Sequence, residues 1–137
     1  MARTEIAVTN LGPFAKSGVT LTGTTGDDTN DHEIDGDSVP RLHLLCSNAH
    51  TSTVDFAILA ASNSRTGVRG ATIAAVTSTV PAAAAGIEGK RLVVLDAHAL
   101  LQDGDGVATN AILINSSDAN LNLCTFYAFT WTPTSVT

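Results

Sequence analysis

The residues RLHLLCSNAHTSTVDFAILA, at positions 41–60, contain two runs in which apolar side chains recur at every second position. The apolar residues of the shared parity are Leu42, Leu44 and Cys46 in the first run and Val54, Phe56 and Ile58 in the second. Successive side chains of a β-strand point to opposite faces, so this period of two indicates strands with one buried face. Asn, Ser and Thr between the runs favour a turn. The stretch therefore predicts two strands joined by a turn.

Runs of the same kind recur along the whole chain. They are TEIAVT, SGVTLTG, GATIAAVTS, KRLVVLDAHALLQ, NAILINS and NLNLCTFYAFTW. Turn-forming residues separate them at intervals of roughly 8–12 residues, which is typical of sandwiches and barrels. Pro and Gly make the run at 81–89 a loop in our interpretation, and DGDG at 103–106 predicts a tight turn. We predict one all-β domain, a single antiparallel β-sandwich of jelly-roll-like form.

The first residues differ from the rest, because Gly and Pro interrupt them in NLGPFAKSG. We therefore divide the chain into an N-terminal arm or peripheral strand at 1–18 and a sandwich domain at 19–137. A chain of 137 residues is long enough to bury a real core.

The composition excludes several classes of function. Hydrophobic residues make up 44% and charged residues 15%, which is too apolar for a disordered tail. The formal net charge is −6, whereas nucleic-acid binders carry the opposite sign. No apolar run approaches the roughly 20 residues of a membrane span, and the opening MARTEIAVTN has no apolar core of a secretory signal. We expect neither a nucleic-acid nor a membrane partner, and synthesis in a reducing cytoplasm.

The two cysteines, Cys46 and Cys124, match no metal or redox spacing. Free buried thiols are the expectation for a reducing compartment. A disulfide would require their strands to be neighbours, with both side chains on one face.

The acidic stretch GDDTNDHEIDGD, at 26–37, invites comparison with a calcium-binding EF-hand loop. Counted from Asp31, the twelfth position is Leu42, which cannot ligate calcium. We predict a solvated turn whose side chains cap their own backbone, and a looser oxygen-rich calcium site is the alternative. No metal or cofactor site is assigned.

Histidines offer the only hints of catalysis. His32 has Asp31 and Glu33 as neighbours, but adjacent side chains on a strand diverge. His98 has Asp96 two positions earlier, which is half of a hydrolytic triad without a nucleophile motif. We therefore predict that the chain is not an enzyme, and a hydrolase is the least favoured alternative.

The last strand-like run is apolar in both parities. We expect Leu123, Tyr127, Phe129 and Trp131 on one side and Asn122, Cys124, Phe126 and Ala128 on the other. The interpretation places Phe129 against Phe56 and Leu44 in the core.

Several segments together resemble one family. They are MARTEIAVTNL, DTNDHEI, RLHLLCSNAHTSTVDFAILA, RLVVLDAHALLQDGDG and FYAFTW. They look like the small β-sandwich capsid decoration (cement) proteins of tailed bacteriophages, which carry a DATNGH-like turn and an L-E-S-x-R-F-x-Q-x-D-G turn. Here the corresponding segments are 28–34 and 95–104, and Asp31 stands where the family often has Gly.

The resemblance implies a virion protein on the outer surface of the phage head, made in the host cytoplasm. Its expected partners are the major capsid protein lattice and itself, as a homotrimer. Arg65 and Arg69 are the first contact candidates, because Arg is the preferred interface cation, although loop arginines also simply aid solubility. Further candidates for capsid or intersubunit contact are Ile6, Val8, Leu11, Phe14 and His32. The alternative function is a receptor- or carbohydrate-binding sandwich on a tail or fibre.

Overall fold

The computed structural model describes residues 3–11, 18–35, 41–59, 75–96, 111–116 and 118–130. These residues form ten strands and one short 3-10 turn at Leu121–Leu123. The strands are β1 Thr4–Glu5, β2 Val8–Asn10, β3 Thr24–Thr25, β4 His32–Asp35, β5 Arg41–Asn48, β6 Val54–Ile58, β7 Val76–Val80, β8 Gly89–Asp96, β9 Ala111–Ser116 and β10 Cys124–Thr130.

Two sheets of five strands pack face to face. Sheet I has the order β1-β4-β9-β6-β7, and sheet II has the order β2-β10-β5-β8, with β3 also paired to β10. The prediction of an all-β sandwich is confirmed. The prediction that its strands are all antiparallel is wrong, because β1 runs parallel to β4 and β2 runs parallel to β10.

Strands β5 and β6 have the buried faces that their alternation predicts. In β5, Leu42, Leu44 and Cys46 are fully buried, and in β6 the same holds for Val54 and Phe56, with Ile58 1% exposed. The first set comes from sheet II and the second from sheet I, so the two runs face each other across the core.

The centre of the core is an aromatic pair that joins the sheets. The rings of Phe56 and Phe126 meet edge to face, with centroids 5.4 Å apart and planes at 88°. Such pairs add about 0.5–1.5 kcal/mol beyond the area that they bury.

The expected parity of β10 is wrong. Cys124, Phe126 and Ala128 face the core, whereas Tyr127 and Phe129 are half-buried on the outer face of sheet II. Directly opposed residues of an antiparallel pair share a face, and Phe126 lies opposite Cys46 while Phe129 lies opposite His43. The register with β5 therefore decides the inward parity. Trp131 lies outside the described residues.

The N-terminal residues are built into both sheets. β1 is one edge of sheet I and β2 is one edge of sheet II, and Ile6 between them is fully buried. Arg3 fastens this segment, because its guanidinium donates to the carbonyls of His32 and Ile114 and to the Asn115 side chain. The segment is thus integral to the sandwich as folded here, and its removal should destabilise the domain.

The loop expected at 81–89 is a tight turn that leads into β8. Ala84 and Ile87 exchange two backbone hydrogen bonds of 2.9 Å. The two residues between them have positive φ, 51° at Ala85 and 77° at Gly86. That pair of angles is the mark of a type I′ turn, which matches the twist of antiparallel strands. The loop prediction is confirmed, while DGDG at 103–106 lies outside the described residues.

Two phenylalanines of β10 give a matched test of the core. Phe126→Ala should lower the free energy of unfolding by about 3–5 kcal/mol, because it leaves a cavity between the sheets. Phe129→Ala, on the outer face of the same strand, should cost clearly less. Denaturant unfolding of both variants measures the difference, and equal losses would contradict the assignment of faces.

Candidate functional site

The acidic stretch folds into a turn held by the Asp27 carboxylate. Its Oδ1 accepts hydrogen bonds from the backbone N–H groups of Thr29 and Asn30, both at 2.9 Å. Its Oδ2 accepts from the Asn30 amide at 3.1 Å and from the Thr4 hydroxyl at 3.3 Å. The predicted self-capping turn is confirmed at 27–30, and it also ties β1 to the loop before β4. The prediction that the stretch is solvated is wrong further on, because His32, Glu33 and Ile34 are fully buried in β4.

These hydrogen bonds stabilise the ionised form of Asp27. The backbone donors of Asn30 and Thr29, followed by the Asn30 side chain, hold the pKa of Asp27 at about 2, below its usual 3.8. Stability from this carboxylate is therefore present above its usual pKa and is lost as the pH falls through about 2.

Asp31 has a structural role as well. Its Oδ1 accepts the backbone N–H of Ser116 at 2.9 Å, and its Oδ2 lies 3.8 Å from the Arg3 guanidinium. The carboxylate thereby joins the start of β4 to the end of β9. No group of three or more His, Cys, Asp or Glu side chains that could hold a metal ion occurs within the described ranges.

His32 lies inside the sandwich. It is fully buried, and its ring meets Phe126 at 5.2 Å in an edge arrangement. Its Nε2 accepts a hydrogen bond of 2.8 Å from the backbone N–H of Asp27, so that nitrogen carries no proton. Glu33 points to the opposite face, where it lies opposite Leu113, as the expected divergence of neighbours requires.

Burial lowers the pKa of His32 from its usual 6.5. The carbonyl of Thr4 and the charges of Asp27 and Asp31 act in the opposite direction, and Arg3 adds to the lowering. Below about pH 6.5 the unfolded chain binds a proton that the folded chain resists, so stability must fall as the pH falls. Protonation of Nε2 would also make this nitrogen a donor. It would then face the Asp27 N–H and could no longer accept its hydrogen bond.

The predicted contact residues divide into three groups. Ile6 and His32 are fully buried, so their side chains offer no surface to a partner in the chain as folded here. Val8 and Leu11 are half-buried, at the edge of sheet II. Phe14, Arg65 and Arg69 lie outside the described residues, as does His98. The described structure therefore does not bring the predicted contact set together.

Cys46 and Cys124 lie on neighbouring strands with both side chains on one face, as a disulfide would require, but both are free thiols. Cys46 lies opposite Phe126, and Cys124 lies opposite Asn48, so the two thiols are diagonal neighbours on the inner face. Both are buried and free. The hydrogen bond that the Cys46 thiol donates to Cys124, together with burial, raises the pKa of Cys46, which disfavours its reactive thiolate.

The outer face of sheet II carries a surface that the sequence interpretation missed. In the register of β10, β5 and β8, two rows cross the sheet: Phe129, His43 and Val94, and next to it Tyr127, Leu45 and Leu92. The rings of Phe129 and His43 stack at 5.1 Å with planes 7° apart. We call these six residues the apolar outer face.

Exposure of the apolar outer face increases toward β8. The side chains from β10 and β5 are half-buried, while Leu92 is 52% and Val94 is 56% exposed. The sequence of β8 could have revealed the apolar outer face. Leu92 and Val94 have the same parity as Lys90, and a charged residue indicates the face of a strand that points to solvent. Large apolar patches on a protein surface mark contact sites.

No protein-family model, curated protein or solved structure matches the chain. The resemblance to decoration proteins rests on the short motifs quoted above. None of the helical residues in the described ranges forms a helix long and apolar enough to cross a membrane.

Substitution of His32 tests the acid sensitivity. His32→Gln keeps an acceptor for Asp27 but removes the titrating ring. Between about pH 7 and pH 5, the free energy of unfolding of the unaltered protein should fall more steeply than that of the variant. Chemical denaturation at a series of pH values measures both slopes, and identical slopes would show that His32 does not cause the loss.

Calcium provides a test of the acidic stretch. Because hydrogen bonds already occupy both oxygens of Asp27, addition or chelation of calcium should leave the melting temperature unchanged. Asp27→Ala should lower the melting temperature to the same extent with and without calcium. A calcium-dependent stabilisation that Asp27→Ala abolishes would instead identify a metal site.

Proposed function

We propose that this chain is a virion structural protein of a tailed bacteriophage, a jelly-roll-like decoration protein on the outer surface of the assembled head. The sequence resemblance to cement proteins is the origin of the proposal. It assigns a structural role and no catalytic one. The partners are the major capsid protein lattice and further copies of the chain, associated as a homotrimer.

The apolar outer face is the observation that carries this proposal. It is a surface of six apolar and aromatic side chains on three neighbouring strands, and such surfaces commonly contact other proteins. Aromatic side chains such as Tyr127 and Phe129 are enriched at protein interfaces, and Phe129 stacks on His43 within this face. An apolar face of this kind suits repeated contacts on a lattice.

The hydrogen-bonded polar groups of the acidic stretch support the same conclusion. Asp27, Asp31 and His32 each hold two segments of the chain together through hydrogen bonds. Their chemistry is thus used for folding. Contact with the capsid falls to the apolar outer face, and Arg65 and Arg69 remain proposed contributors.

A carbohydrate-binding role on a tail or fibre is the second candidate. Lectin sites commonly use exposed aromatic rings that stack on sugars, and the sequence interpretation placed Tyr127 and Phe129 in the core. The structure instead places both rings, half-buried, on the outer face, where aromatic side chains are available for such stacking. The two functions use the same surface, so one set of variants tests both.

The decisive measurement is binding to phage heads. The protein should bind assembled, expanded heads and not free capsid subunits, and it should raise the melting temperature of the heads. Tyr127→Lys, which places a charge on the apolar outer face, should reduce binding at least about tenfold, or about 1.4 kcal/mol. Co-sedimentation with heads, followed by quantification of the pellet, measures it.

Thr77→Lys is the matched control, because Thr77 is exposed on the outer face of sheet I. It adds the same charge and should bind heads as the unaltered protein does. If heads do not bind the protein, the decoration proposal is wrong. A glycan array then tests the second candidate, with loss of the signal in Tyr127→Lys as the expected result.

A further inference from the structure

We propose that two copies of this chain associate through the free edges of their β8 strands. The strands pair antiparallel about a two-fold axis at Val93, so that sheet II continues from one copy into the next. This two-fold contact is distinct from the homotrimer of the proposed function, and it shares Leu92 and Val94 with the apolar outer face. Strand addition of this kind is a common mode of recognition between sheets.

The edges of the sandwich differ greatly in length. Edge strands β1 and β2 have two and three residues, and β7 has five. β8 has eight residues, and among the described strands only β5 pairs with it. Proteins blunt their edges by making them short, so β8 is the edge that remains open to pairing.

Strand β8 is also regular. All eight of its residues pair with β5 in one unbroken register, from Gly89 opposite Asn48 to Asp96 opposite Arg41. A bulge would twist an edge away from a partner, and none interrupts these pairs. A regular backbone presents its N–H and C=O groups at the spacing that another strand needs.

The neighbouring edge strand, β7, has one of its carbonyls already occupied. The Arg91 guanidinium donates a hydrogen bond of 2.9 Å to the Thr79 carbonyl of β7. Arg91 thus links the edges of the two sheets at this flank, and it lies on the inward parity of β8. The outward parity, with Leu92 and Val94, is left for contact.

The sequence of β8 is self-complementary in one register. With Val93 opposite its own copy, Leu92 lies opposite Val94 on the outer parity, and Lys90 lies opposite position 96, which is an aspartate. In this register, the residues of β8 that face the core in one copy lie opposite those that face the core in the other. The two cores therefore lie on the same side of the continuous sheet. Opposite charges at facing positions favour the pair, whereas like charges would oppose it. Both copies contribute the same patch, as two-fold symmetry requires.

Exposed apolar residues are concentrated at this edge. The described residues include six large apolar side chains that are exposed: Val19, Val76, Ile87, Leu92, Val94 and Leu123. Three of them, Ile87, Leu92 and Val94, lie in β8 or the turn before it. Pairing of two β8 strands would bring Leu92 of each copy beside Val94 of the other and reduce the exposure of both to water.

Sedimentation velocity of the purified protein tests the contact. The unaltered protein should form dimers whose fraction rises with concentration. The double variant Leu92→Lys with Val94→Lys should be monomeric, because it brings like charges together across the axis. Leu123→Lys, at an exposed apolar residue outside β8, should dimerise normally. Circular dichroism of the three proteins should confirm the same fold.

A charge exchange tests the register itself. Lys90→Asp alone should weaken the dimer, and Lys90→Asp with Asp96→Lys should restore it. A protein that is monomeric at every concentration overturns the proposal, as does an oligomer that persists in Leu92→Lys with Val94→Lys. A persistent trimer that still binds heads would leave the decoration proposal intact, so the two proposals can fail separately.

Discussion

The register between β5 and β10 is the constraint on which the rest of the structure depends. It places Phe126 opposite Cys46 and Ala128 opposite Leu44, and so it turns one parity of β10 toward Phe56. A slip of one residue would move Tyr127 and Phe129 into the core and expose Phe126. The same register, continued by β8, creates the apolar outer face. The core and the apolar outer face are therefore two consequences of one set of backbone hydrogen bonds.

Buried polar side chains complete the sandwich where strands end. Asn48, fully buried at the end of β5, donates to the carbonyls of Ser52 and Pro81 and accepts the N–H of His50. Arg3 has the corresponding role at the opposite edge of sheet I. Unsatisfied backbone groups are costly inside a protein, so these few side chains fix the loops that the sheet ladders leave unpaired.

The two outer faces of the sandwich differ in character. On sheet I, Glu33 and Ala111 are fully buried on the outer parity. On sheet II, the apolar outer face is half-buried to exposed, and three of the four cations in the described ranges, Arg41, Lys90 and Arg91, lie on its strands β5 and β8. The proposed head contact and the proposed β8 pairing both follow from this asymmetry.

The sequence alone determined most of the strands and, where one parity is polar, the direction of their side chains. β5 and β6 are such cases, because the alternation of Leu42 with His43, or of Phe56 with Asp55, leaves one apolar face to bury. The strand predicted in SGVTLTG is wrong, because the described residues 18–23 form none. Only the tertiary structure decided β10, since both of its parities are apolar and a partner strand must select between them. It also decided the parallel pairing of β1 and β2 and the burial of His32. Those outcomes depend on hydrogen bonds between residues far apart in the chain. A local pattern of period two does not indicate which strand will pair with it.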